Sequence, residues 1–260
     1  MFQFHSLQAA PIPGGPTAVN AQSAGNGFLG VALPFDAGTV YWNPAGVGAL
    51  DQMSVEFTAA GEKFARPGNW SFIMANSANA KSERFGFALL RRSGSEDSSW
   101  FKSFQINLPL AYGFQAGSMP VGVALKFISE RQEGGGWRYG SALDAGALWR
   151  SPSGMVVGLS SLNIAASNLH SFENQTWAGF GWGRDRDPYT IGAQTRVDDW
   201  RNRETMRQNL SLGINFNPDR ENYAFRCGWT RRGDRSWATF GVGWQQRQDN
   251  TLIAYSIAVD

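Results

Sequence analysis

One cysteine, Cys227, and two histidines, His5 and His170, are the only thiol and imidazole groups among 260 residues. A single cysteine excludes a disulfide framework and any multi-cysteine metal site, and within a period-two segment it reads as a small apolar strand residue. His5 falls in an N-terminal tail and His170 in a connection, and neither has a nearby partner in sequence for acid–base work. Charged residues are scarce at 17%, and 23 basic residues stand against 21 acidic ones. With that balance, no dense basic run and no stacking motif, nothing points to nucleic acid. No run of about 18 apolar residues is present, so no membrane-spanning helix is expected. The start, "MFQFHSLQAAPIPGG", lacks the basic region and long apolar core of a secretory signal, which taken alone favours a cytoplasmic protein. "GFGWGRDRD" (179–187) lacks the Lys-Ser/Thr ending of a phosphate loop. "DRDP" (185–188) and "NPDRE" (217–221) lack the carboxylate spacing of an EF-hand. No catalytic residue, metal or cofactor is therefore expected.

What the chain has in quantity is glycine (31), phenylalanine (18) and tryptophan (11), a mixture that suits short strands, tight turns and aromatic anchoring. Residues 1–22 are rich in Pro, Gly and Ala and read as an extended segment. From about residue 53 the dominant signal is period two. Met53, Val55 and Phe57 alternate with Ser54, Glu56 and Thr58; Phe104, Ile106, Leu108, Leu110, Tyr112 and Phe114 alternate with smaller or polar residues. The pattern recurs at 85–89, 121–127, 143–149, 210–216, 223–230, 238–245 and 253–259. One face is apolar and often aromatic. The other is crowded with Gly, Ala, Ser, Asn and Gln, with Glu56, Lys126, Asp144 and Arg226 as charged members. A soluble sandwich carries many Lys, Glu and Thr residues on its second face, whereas small residues suit the inside of a closed barrel. Trp70, Tyr112, Trp149, Trp229 and Trp244 suit interfacial girdles. A soluble all-β protein is the alternative.

Short turns at 115–120, 151–154, 217–221 and 247–250 alternate with long polar connections at 91–103, 129–138, 165–187, 198–206 and 231–236, as in outer-membrane barrels. The alternation requires a further strand within "TWAGFGWG" (176–183). The count is then 13, and since an even number is usual with both ends in the periplasm, the expectation is 12–14 strands. Pro109 lies inside a long strand and cannot donate to its ladder, so a bulge or wall opening is expected there. Lys126 and Asp144 face the lumen on consecutive strands of one hairpin and are placed to pair.

The segment "SAGNGFLGVALPFDAGTVYWNPAGVGAL" (23–50) resembles the N-terminal hatch of the FadL family of outer-membrane transporters and its PorV-like relatives. In that family an Asn-Pro-Ala motif directly precedes strand one, and Asn43, Pro44 and Ala45 match it. "LDAGALWR" (143–150), "VVGLSSLNI" (156–164), "YAFRCGWT" (223–230) and "ATFGVGWQ" (238–245) match later segments in order. The resemblance implies a transmembrane antiparallel barrel over 53–260, plugged by a partly helical hatch at 23–52 in which Tyr41, Trp42, Asn43, Pro44, Ala45 and Gly46 lie. It implies one of two activities in the outer membrane of a diderm bacterium, among its lipids. In the first, small hydrophobic molecules pass through the plugged lumen and leave through the wall. In the second, the barrel docks secreted or surface-attached proteins through its long loops, where Trp177, Trp182 and Trp200 are expected. The residues agree with the hatch on their own terms. Gly25, Gly27, Gly30, Gly46 and Gly48 allow close backbone packing, and Pro44 disfavours helix at Asn43.

Overall fold

The computed structural model describes residues 27, 29–33, 37–50, 53–60, 69–76, 83–93, 104–131, 136–167, 174–183, 187–197, 209–218, 223–233, 235–248 and 251–259. Two short helices, α1 (Thr39–Trp42) and α2 (Ala45–Ala49), precede the strands. The first seven strands are β1 (Met53–Ala60), β2 (Asn69–Asn76), β3 (Glu83–Ser93), β4 (Phe104–Ala116), β5 (Met119–Arg131), β6 (Trp137–Arg150) and β7 (Met155–Ser167). The remaining six are β8 (Gln175–Trp182), β9 (Tyr189–Arg196), β10 (Asn209–Phe216), β11 (Tyr223–Arg232), β12 (Arg235–Gln248) and β13 (Thr251–Val259). Each strand pairs antiparallel with its sequence neighbour, and β13 returns beside β1 to close the barrel. That last pairing is parallel, as an odd strand number requires. The further strand expected within 176–183 is β8, which pairs with both β7 and β9.

Alternation decides the two faces. Phe57, Phe85, Leu110, Val123, Leu125, Phe127, Leu159, Leu212, Phe225 and Phe240 point outward and are exposed, Phe57 to 70%. Ala75, Ala88, Ala111 and Ala124 point inward and are buried. What buries them is the segment before β1. Val31, Val40, Tyr41, Trp42, Val47 and Leu50 form one apolar cluster with Ile73, Leu90, Leu162 and Trp177 of the wall. Helices of four and five residues are not stable alone. Burial holds them: Val31, Val40 and Val47 are fully buried, at roughly 1.5–3 kcal/mol for each side chain.

Two connections are shorter than their polarity suggests. The sequence reads 231–236 as a long loop, yet β11 and β12 pair through to Arg232↔Arg235 and leave only Gly233 and Asp234 between them. Gly233 at φ +59° supplies the left-handed conformation for so tight a turn. Likewise β5 and β6 pair out to Arg131↔Trp137, well inside the expected loop 129–138. Charged residues here mark where the outer face stops being apolar, not where the strand stops.

Candidate functional site

The helical break inside the barrel follows from two adjacent residues. Asn43 is extended (φ −156°, ψ 101°) and ends α1, because a following proline disfavours the helical region. Pro44 (φ −60°, ψ −20°) caps the start of α2, where its missing N–H costs nothing. The Asn43 side chain is fully buried and ties the segment to itself: its Nδ2 donates to the Val31 carbonyl at 2.7 Å, and its Oδ1 accepts from the Ala45 N–H at 3.1 Å. The Thr39 hydroxyl donates to the Asn43 carbonyl at 2.8 Å. Tyr41 and Trp42 are each 1% exposed, and Ala45 and Gly46 are buried with them.

The wall receives this segment with glycine. Gly122 on β5 is the register partner of both Gly113 on β4 and Gly146 on β6. A Cβ at Gly113 would overlap the Gly48 N–H, one at Gly122 the Pro44 carbonyl, and one at Gly146 the Asn43 amide oxygen. The seat continues round the lumen, where Gly86 abuts Val40, Gly158 abuts Val31, and Gly181 and Gly192 abut Leu33. Polar wall side chains complete it. Gln194 on β9 accepts from the Gly30 and Val31 N–H groups at 3.0 and 3.1 Å. Thr239 on β12 accepts from Gly27 at 2.9 Å, Ser54 on β1 accepts from Ala37 at 3.2 Å, and Arg84 on β3 donates to the Gly48 carbonyl at 3.1 Å. Sequence reasoning missed these four side chains and their five hydrogen bonds. Their only signal was an inward position in the alternation.

A buried charge cluster lies against the same segment. Lys126 Nζ on β5 is 2.6 Å from Asp144 Oδ2 on β6, and neither side chain is exposed. Lys126 also donates to Asn163 Oδ1 at 3.2 Å and lies 4.9 Å from the centroid of the Tyr41 ring. Asp144 Oδ1 accepts from the Asn163 N–H at 2.7 Å. This bond replaces a ladder bond at a bulge, where the β6–β7 register shifts between Leu143 and Ala145 and Asn163 takes φ 58°. The positions the ions need are thus set by a local irregularity in β7, and a purely alternating sequence pattern does not reveal it.

The other expected residues are placed as follows. Glu56 is half-buried on β1, on the same face as Ser54, and Arg226 is buried on β11. Pro109 is buried on β4 and pairs with Lys126 without a register shift. On its other side the register is the same at Phe87↔Leu110 and Leu90↔Asn107, so no bulge forms, but no ladder pair joins Ala88 and Leu89 to Leu108 and Pro109 between them. The assignment of Trp177 and Trp182 to an external loop is corrected: both lie on β8. Trp177 faces the lumen, 2% exposed, and its indole N–H donates to Gln175 Oε1 at 3.2 Å. Trp182 points outward at the short-turn end, 6.1 Å from Tyr189. The reason is the alternation hidden in "QTWAGFGW", where glycine and alanine take positions that a loop would give to polar residues. Trp200 and residues 1–26 lie outside the described residues.

No protein-family model and no curated protein sequence matches the chain. Solved structures do match in fold. A structure described as the CymD monoaromatic hydrocarbon channel superimposes with a TM-score of 0.60 at 13% identity, over 92% of each chain. The crystal structure of a Pseudomonas aeruginosa FadL homologue gives a TM-score of 0.57 at 10% identity, covering 92% of this chain and 88% of that one. At such identities the likeness is one of architecture: this chain is an antiparallel β-barrel with the fold of these two structures.

Proposed function

We propose that this chain is an outer-membrane barrel through which small hydrophobic molecules pass, with residues 23–52 as its plug and 53–260 as its wall. The outward face supports the membrane reading: exposed aromatic and aliphatic side chains run round the described wall, a surface that suits hydrocarbon and is a liability in water. The observation that carries the transport reading is the plug's seat. A wall built only to span the bilayer does not need glycine wherever the inner segment touches it, whereas a segment that docks and undocks as a body does. Trp42 Nε1 of the plug is buried without a partner among the described residues, which costs the plugged state about 1–3 kcal/mol. The plug therefore sits in a state that an entering molecule can outcompete.

The docking of secreted or surface-attached proteins is the second reading, favoured by how closely the inner segment packs against the wall. The two separate in one experiment. In diderm cells expressing the chain, Asn43→Ala removes the tie that shapes the plug while leaving the wall intact. The transport reading expects a barrel of normal heat-modifiable gel mobility and faster uptake of a labelled alkylbenzene. Unchanged uptake, with a protein partner retained after gentle detergent extraction, supports the scaffold.

A further inference from the structure

Charge is distributed unevenly on the outward face. By register, the charged residues at outward positions of the described strands are Glu83 at the short-turn end and Arg91, Arg131 and Arg231 at the long-connection end. The Arg231 end has the most structure around it. Here β11 and β12 turn in two residues, which places three arginines and one aspartate within 231–235. The register sets Arg232 directly opposite Arg235, and like charges so placed are unfavourable without a counter-ion. Arg231 is half-buried, and its Nε donates to the Gly233 carbonyl at 3.2 Å. That bond holds the guanidinium at the rim and leaves its two terminal nitrogens without a partner among the described residues. Their planar geometry suits a phosphate.

Below Arg231 the same face opens into a groove of about 510 Å³. Its floor is the backbone of Gly192, Gly213 and Gly228, register neighbours on β9, β10 and β11. Leu212, Ile214 and Trp229 stand along it, and Cys227 lines it without being long enough to fill it. Trp229 is two residues from Arg231 on the same face, about 7 Å of strand. Depth follows from β11. Tyr223, 51% exposed at the short-turn end, lies eight residues from Arg231, roughly 26 Å of strand and about 20 Å of height at a tilt of about 40°. An arginine side chain spans the few Å left to the edge of an apolar band about 25 Å tall. Its charge therefore reaches headgroup depth, while the groove lies among acyl chains.

We propose that the β11–β12 rim and the groove beneath it hold one lipid of the surrounding bilayer, its phosphate-bearing headgroup on Arg231 and an acyl chain running past Trp229 into the groove. The inference rests on the membrane reading above and does not depend on transport. Charge and shape together select this occupant. The arginines call for an anion and the groove for hydrocarbon, and a phosphate-bearing lipid supplies both at the spacing the strand sets. An alkylbenzene meets only the groove, and free phosphate only the rim. A second copy of the barrel brings no anion, because its own outward face at this end is equally basic.

The test uses the whole barrel in a neutral detergent, titrated with dioleoyl phosphatidic acid or with dioleoylglycerol and read as one-to-one adducts by native mass spectrometry. The two lipids share their chains and differ in the phosphate. The site predicts one saturable phosphatidic acid adduct, bound about tenfold more tightly than the glyceride, the gain of one charge-assisted contact. Arg231→Gln should bring phosphatidic acid down to the level of the glyceride. Cys227→Phe, which fills the groove, should weaken both. Arg131→Gln removes the same charge from the same rim and should change neither. Each variant is first checked for heat-modifiable mobility. If Arg231→Gln does not fold, Arg231→Lys, which keeps the charge and loses the planar fork, should still weaken phosphatidic acid alone. Equal affinity for the two lipids, equal losses for Arg131→Gln and Arg231→Gln, or displacement of the lipid by inorganic phosphate overturns the site. A chain that stays folded and dispersed in buffer without detergent refutes the membrane reading itself, an outcome distinct from failure of the lipid site.

Discussion

Replacing Lys126 with methionine removes the cation from a site where it is 2.6 Å from Asp144, 3.2 Å from Asn163 Oδ1 and 4.9 Å from the Tyr41 ring centroid, with neither charge exposed. The loss leaves Asp144 as an uncompensated buried carboxylate, and breaking a buried pair on one side typically costs about 3–5 kcal/mol. The cation–π contact to the plug adds roughly 0.5–2 kcal/mol. Removing both charges, as Lys126→Met with Asp144→Leu, is different in kind. Replacement of a whole buried pair by apolar residues is often neutral or stabilising by about 1–4 kcal/mol. Here the Asn163 N–H loses its acceptor, which costs back roughly 1–3 kcal/mol. The double variant is therefore expected near wild-type stability and well above either single variant. Denaturant unfolding of the refolded barrel in lipid vesicles, followed by tryptophan fluorescence, measures all four corners of the cycle. A single-variant cost below about 1 kcal/mol, or a double variant no better than the worse single one, would refute the burial and coupling on which this reasoning depends.

The glycine seat makes a steric prediction. Gly122→Ala and Gly146→Ala should each cost about 1–3 kcal/mol by overpacking and raise the access of an aqueous quencher to Trp42, whereas Gly136→Ala, with nothing near its Cβ, should do neither. The outward face makes an electrostatic one. Val123→Lys, at a position 45% exposed on β5, should destabilise insertion into vesicles by roughly 2–4 kcal/mol if it lies near the bilayer midplane. Ser118→Lys in the β4–β5 turn should cost about 0–1 kcal/mol. Equal costs at the two sites would remove the membrane from the account. Finally, Cys227 is exposed on the outer face of β11, so a lipid-soluble maleimide should label it in intact vesicles while a charged, membrane-impermeant one does not.

The barrel was legible because alternation with a small-residue second face repeats along nearly the whole chain, and each repeat reports the same geometry. β8 was the harder case: its inner positions are Gln175, Trp177, Gly179 and Gly181 and its outer ones Phe180 and Trp182. With aromatics on both faces, the period is blurred. The ends of β5, β6, β11 and β12 were misread because polarity tracks the surroundings of a strand more closely than its hydrogen bonding. The site was legible in composition and opaque in detail. "NPAG" announces a break and a new turn, and Lys126 and Asp144 fall on diagonal inner positions of neighbouring strands. Nothing in the sequence says that Asn43 reaches back to Val31, or that Asn163 leaves the strand conformation to meet Asp144. Those contacts follow from how a folded-in segment meets a wall far away in sequence, as with Gln194 and Val31.

The most direct test of the central claim is the initial rate of uptake of a labelled alkylbenzene by diderm cells with and without this chain at equal levels of folded protein in the outer membrane. A plugged hydrophobic transporter predicts a rate that rises with the amount of barrel, and rises further when Asn43→Ala loosens the plug. A rate indistinguishable from that of cells lacking the chain, with the barrel folded and in the outer membrane, would contradict it.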